Sequence, residues 1–165
     1  MCFDIRPISP ADRDRVAELI AERWGTDAIV VHGIVYKPST LPGFIAYCGE
    51  EWLGLITYHI EGGQCEIVTL DSFRPSMGIG TALLWAVRQA AIETQCGRLW
   101  LITTNDNLSA LRFYQKRGFV LVAVHRNAVA EARKLKPEIP ATGSDGIPIR
   151  DEIELEMILP DTTIP

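Results

Sequence analysis

Hydrophobic and polar positions change period several times along this chain, and each change marks a predicted element. Residues 3–8 read as a first strand. Ser9 or Pro10 then opens a helix to Trp24, with Val16, Leu19, Ile20 and Trp24 on one face. A short apolar run, Ala28-Ile29-Val30-Val31, precedes Gly33 and a loop from Pro38 to Pro42. Residues 43–48 and 52–60 flank Gly49-Glu50-Glu51 as a hairpin, and Glu61-Gly62-Gly63 turns the chain into a strand over residues 66–70. A helix follows over residues 79–94, where Leu83, Leu84, Val87, Ala90 and Ala91 form an apolar stripe, and then a strand over residues 98–103.

The remainder continues the alternation. Residues 107–117 predict a short helix capped by Asn105 or Asn107 and ended by Gly118 in a left-handed conformation, and residues 119–124 form an apolar strand. Residues 128–136 predict a small helix with Ala130, Ala132 and Leu135 inward. A proline- and glycine-marked stretch over residues 137–148 has the character of a lid. The last strand, residues 151–158, alternates strictly, with Ile153, Leu155 and Met157 on one face and Glu152, Glu154 and Glu156 on the other. That acidic row reads either as a solvated sheet face or as a wall facing a cationic amine. An antiparallel meander feeding a strand-loop-helix, then strand, helix and strand, predicts an α/β (α+β) layered sheet, with residues 1–165 as one domain and no internal repeat.

The segment Arg74-Pro75-Ser76-Met77-Gly78-Ile79-Gly80-Thr81 lies between the strand at 66–70 and the helix at 79–94. Free amides at a helix N-terminus favour an anion, and glycine admits a ligand to the backbone without a Cβ in the way, so the segment outlines a phosphate cradle. A P-loop would need Gly-Lys-Ser/Thr, but Gly80-Thr81 has no lysine between them. A dinucleotide fold would need glycine or alanine at Leu83 and an acidic residue after the next strand, which ends in Thr104-Asn105. Both readings fail on residues.

Downstream lies Asn107-Leu108-Ser109-Ala110-Leu111-Arg112-Phe113-Tyr114, followed by Gly118-Phe119. A Gly-x-Gly loop followed by Asn-x-x-Ala-x-x-x-Tyr and then Gly-Phe resembles the GNAT family of acyl-CoA-dependent N-acyltransferases, most closely over residues 43–126. The resemblance implies a mixed, mostly antiparallel central sheet flanked by helices, with two splayed parallel strands at its centre. It departs from the family at Pro75, where Arg or Gln is usual; Arg74 stands one residue earlier. Because Pro75 has no N–H, more of the anion binding would fall to the amides that follow it.

The resemblance further implies acetyl transfer from acetyl-CoA, as co-substrate and without a metal, to a primary amine. Backbone groups of Val68 and Leu70 would hold the pantetheine, and Ser76, Met77, Gly78, Ile79, Gly80 and Thr81 the pyrophosphate, with Arg74 and Asn107 also on the cofactor. Tyr114 stands at the family's general-acid position, and a phenol of pKa ~10 can protonate a thiolate of similar basicity. Glu66 would share a pleat face with Val68 and Leu70 under regular alternation and would draw off the amine's proton; Asp71, Glu154 and His125 are alternatives. The acceptor site would be built from Trp24 to His32, Tyr36, Arg126 and residues 137–149. The acceptor itself, a small molecule or a peptide, stays open, as does a non-catalytic acyl-CoA-binding domain of the same fold.

Composition adds bounds. The chain has 165 residues, and a formal charge of −5 with no dense Lys/Arg run speaks against nucleic acid and suits a cationic amine. No apolar run reaches ~18 residues and the N-terminus is charged early, so a cytoplasmic protein without a membrane partner is expected; a homodimer is compatible. Cys2, Cys48, Cys65 and Cys96 lack metal spacing and lie in apolar patterns, which predicts buried free thiols.

Overall fold

The structure, a computed structural model, describes residues 2–161. Its strands are β1 (Asp4–Pro7), β2 (Ile29–Val31), β3 (Ile34–Tyr36), β4 (Gly43–Cys48), β5 (Glu51–Glu61), β6 (Gln64–Ser72), β7 (Arg98–Thr104), β8 (Val120–His125) and β9 (Glu152–Ile158). Its α-helices are α1 (Arg13–Trp24), α2 (Ile79–Glu93), α3 (Leu108–Gln115) and α4 (Ala128–Leu135). Seven strands form one sheet in the order β1-β4-β5-β6-β7-β9-β8, and β2 pairs with β3 as a separate hairpin. Every neighbouring pair is antiparallel except β6 with β7. This is the mixed, mostly antiparallel sheet expected from the sequence.

The parallel pair is short. It runs from Gln64↔Arg98 to Ile67↔Leu101, although β6 continues to Ser72 and β7 to Thr104. The separation begins where β6 carries a bulge. Thr57 opposes Thr69 and Tyr58 opposes Ile67, so Val68 is an extra residue with no partner on β5. A bulge bends and twists its strand, which here coincides with β6 leaving β7. The bulge also overturns the expected alternation. Val68 packs beside Ile29, Val31 and Tyr36 on one face of the sheet, whereas Leu70 packs with Ile56 and Leu83 on the other. One added residue reverses the side-chain phase beyond it, so Glu66, Val68 and Leu70 do not share a face.

On the Leu70 face, α2 lies against β4, β5 and β6. Leu83, Leu84 and Val87 are fully buried, each worth about 1.5–3 kcal/mol of transfer free energy. The helix approaches β5 at Gly54, where a Cβ would stand 2.6 Å from Ile79 Cγ2 and 2.9 Å from the Asp71 carbonyl. On the other face, Val16 and Ile20 of α1 pack against Ile45, Trp52 and Leu55. Trp24, expected on the buried stripe, is 41% exposed because the helix stops there at a left-handed Gly25. In α4 the buried residues are Val129 and Ala132; Ala130 and Leu135 are exposed, contrary to expectation. The face is set by Lys136, just past the helix, whose buried Nζ donates to the carbonyls of Trp24 (2.9 Å) and Ala28 (3.0 Å). All four cysteines are free, but Cys2 and Cys48 are exposed, Cys48 because it ends β4 at a turn. Burial pushes the Cys65 thiol up to about 12.

The stretch over residues 137–150 is tied down at several points. Arg133 donates to the carbonyls of Ile139, Pro140 and Ile149. Asn105 acts as a clasp: its Oδ1 accepts from the amides of Arg150 and Asp151, both at 2.9 Å, and its Nδ2 donates to the Pro148 carbonyl. No helix among the described residues is long and apolar enough to cross a membrane.

The first helical turn depends on Asp12. Its carboxylate accepts from both terminal guanidinium nitrogens of Arg6 (2.7 and 2.9 Å) and from the amide and hydroxyl of Ser9 (2.8 and 2.9 Å). The Arg6 bond, followed by those of Ser9, holds this carboxyl well below the usual carboxylate range. Its contribution is therefore complete above the usual range and lost as pH falls toward the depressed value. Asp12→Ala should cost about 1–2 kcal/mol at pH 7 in urea unfolding, and the deficit should shrink in parallel titrations between pH 4 and pH 2.

Candidate active site

The two faces of the sheet around β6 and β7 carry different chemistry. On the α2 face lies a cleft of about 620 Å3. It is lined by Leu70, Arg74, Pro75, Ser76, Gly78, Ile79, Gly80, Thr81, Asn107 and Tyr114, among others. The loop before α2 takes left-handed backbone at Ser76 (φ 64°) and Gly78 (φ 75°), which turns the chain into the helix start. At Gly80 a Cβ would stand 3.3 Å from the Phe113 ring, so a small residue is what lets α3 close against α2. The Met77 side chain turns toward the core. Arg74 lines the cleft while pairing with Glu51.

From α3, Asn107 caps the helix by accepting from the Ala110 amide (3.2 Å) and also borders the cleft. Tyr114 is 7% exposed, edge-on to both Phe113 and Phe119. Burial first, then the charge of Asp71, raises its phenol above the ordinary value. Sequence reasoning missed Arg117. Its guanidinium lies 3.8 Å from the Phe113 ring centre, donates to Thr81 Oγ1 at 2.9 Å and brings a cation to the cleft. The signal was its place one turn beyond Phe113, where residues four apart on a helix meet.

The opposite face carries Glu66. Its carboxylate is 3% exposed and both oxygens are engaged: Tyr36 Oη donates to Oε1 at 2.7 Å, and His32 Nε2 lies 2.7 Å from Oε2. Both partners come from the β2–β3 hairpin, whose two-residue turn is His32-Gly33, with φ of 40° and 80°. Apolar runs on either side of a residue followed by glycine are a hairpin signal. The other candidate bases are committed elsewhere. Asp71 accepts from Arg23 and, at 3.4 Å, from the Trp24 indole. Glu154 is held by Arg98 and His125. The acidic row on β9 is accordingly neither a solvated face nor a free anionic wall: Arg98 also binds Glu156, and buried Glu152 accepts from the His32 amide at 3.3 Å.

Several comparisons bear on this arrangement. Residues 13–119 match the family model described as the acetyltransferase (GNAT) family. A curated relative, the uncharacterized protein YdhI of Bacillus subtilis (strain 168), is 44% identical over 156 residues, covering 94% of this chain and 98% of that protein. Among solved structures, an IAA acetyltransferase from Bacillus cereus ATCC 14579 aligns with a TM-score of 0.73 at 21% identity, over 96% of this chain and 100% of that one. A GNAT family acetyltransferase from Elizabethkingia anophelis, with acetyl-CoA bound, aligns with a TM-score of 0.66 at 24% identity, over 95% and 98%.

The Tyr36 bond is a buried hydrogen bond to a carboxylate. Its removal in Tyr36→Phe should lower stability by about 1.5–3 kcal/mol, read by urea unfolding at pH 7.

Proposed function

Since the chain belongs to the acetyltransferase (GNAT) family, we propose that it transfers an acetyl group from acetyl-CoA to a primary amine by direct attack when both substrates are bound. The observation that carries this reading is the separation beyond Ile67↔Leu101, which leaves the β7-facing edge of β6 without a strand partner. That edge offers its backbone groups at Val68 and Leu70 to the pantetheine, as a missing strand would receive them. The pyrophosphate fits the amides over residues 76–81 at the N-terminus of α2, beside Arg117. The cleft thus suits a long anionic cofactor.

The reaction balances as follows. The ammonium of the acceptor loses a proton, the free amine attacks the thioester carbonyl, a C–N bond forms and the C–S bond breaks. Tyr114 donates its phenolic proton to the departing thiolate and recovers one as the new amide nitrogen loses its second; the net products are the acetamide, CoA thiol and one proton to solvent. Burial of Tyr114 keeps it neutral, the state a general acid requires. Glu66 supplies the negative charge on the acceptor side. A mildly acidic chain with carboxylates lining that side favours cationic acceptors, a small amine or a peptide amine.

Thiol release from acetyl-CoA, measured with polyamines, amino acids, aminoglycosides and peptides, tests the reading. At least one amine should raise release above the rate without acceptor, and Tyr114→Phe should lower kcat by about 10²-fold. Acetyl-CoA binding with no amine-dependent release would leave instead a binding domain. Calorimetry should find CoA binding about tenfold weaker in Arg117→Ala and tighter in Pro75→Arg, since each changes one cation at the pyrophosphate.

A further inference from the structure

His32 occupies the first position of a turn that suits glycine, asparagine or aspartate, with φ at 40°. A histidine there is a local cost to the hairpin, and its imidazole is used. It reaches across to β6 and meets the buried carboxylate of Glu66 at 2.7 Å. A carboxylate accepts and does not donate, so Nε2 carries the proton and the lone pair of the neutral ring is on Nδ1. Among the described residues no other residue bonds Nδ1; the backbone of His32 itself comes near the ring, and it favours the charged form. The ring is partly exposed and borders a second cleft, about 450 Å3, together with Trp100, His125 and Glu131.

Glu66 itself is poorly placed to receive a proton directly. Both of its oxygens already hold a donor, and its side chain is 3% exposed. With so little of it exposed, an incoming ammonium has scant access to its remaining lone pairs.

We infer that His32 is the base for the acceptor amine, taking its proton on Nδ1, while Glu66 and Tyr36 are positioning residues that fix the ring and its tautomer. This rests on the acetyl-transfer reading. The N–H bond of the ammonium breaks and an Nδ1–H bond forms; the imidazolium is then paired with Glu66 through Nε2–H and returns its proton to solvent. The Glu66 bond raises the His32 pKa above the ordinary value, against the effect of burial. The other titratable groups facing the ring are Glu152 of β9, Tyr36 of β3, and, across the second cleft, His125, Glu131 and Glu154. His59 of β5 stands behind Tyr36. The negative groups act in the same direction as Glu66, so neutral His32, the active form, gains population as pH rises through the raised value.

The test combines kinetics with the state of the ring. Histidine-selective 15N labelling resolves three side chains, so His32 can be followed by NMR in the intact protein. It should show the Nε2–H tautomer and a midpoint above free histidine, which Glu66→Gln lowers. With the amine that releases most thiol in the panel above, the acidic limb of kcat/KM should coincide with that midpoint and move to lower pH in Glu66→Gln. His32→Asn suits the turn but removes a bond to the buried Glu66 carboxylate, so its Tm should fall no further than that of Tyr36→Phe and the protein should stay folded at the assay temperature. Its kcat should nevertheless fall about 10²-fold, and the acidic limb assigned to His32 should vanish. An Nδ1–H tautomer, an acidic limb unmoved in Glu66→Gln, or wild-type rates in His32→Asn would each overturn the inference and leave acetyl transfer intact. If no amine raises thiol release, both fall.

Discussion

One unpaired residue governs the site. Val68 adds to β6 without a partner on β5, and the strand both departs from β7 and reverses its side-chain phase at that point. The departure opens the sheet between its two central strands. The reversal decides which side chains look through the opening: Glu66 keeps to the hairpin face, while Leu70 joins the α2 core and borders the first cleft. A regular strand would have closed the gap with ladder hydrogen bonds and left no free backbone edge.

Around that opening, charge is compensated on one side and concentrated on the other. The β9 carboxylates, which in sequence look like an uninterrupted negative row, are each bound by a protein donor: Arg98, His125 or the His32 backbone. Glu66 differs in that its bonded partners are a phenol and an imidazole with no guanidinium among them, and both can themselves gain or lose protons. The α2 side is assembled from backbone amides, Arg117 and a buried phenol. On the acetyl-transfer proposal each face would take a different substrate, and the reacting atoms would meet where the strands part.

Much of this was legible in the sequence because it rests on short-range pattern. The stripe of α2, the strict alternation of β9, the cap at Asn107 and the left-handed Gly118 all follow from neighbours within a turn or a pleat. The bulge was not legible. Ile67-Val68-Thr69-Leu70 is a run of strand formers, and nothing local says which of them lacks a cross-strand partner. The same holds for His32 and Tyr36, whose meeting with Glu66 spans 34 and 30 positions of chain. Ala130 and Leu135 are exposed because Lys136 and its two carbonyl partners hold the helix with Val129 and Ala132 inward, a contact that spans more than a hundred positions of chain.

Asn105, whose side chain holds the backbone at Pro148, Arg150 and Asp151, welds a long irregular segment to the end of β7. The segment therefore shares the fate of the central sheet, not that of a surface loop. The amides of Arg150 and Asp151, bonded to Asn105, are thereby coupled to β7 and should be protected from hydrogen exchange along with the sheet.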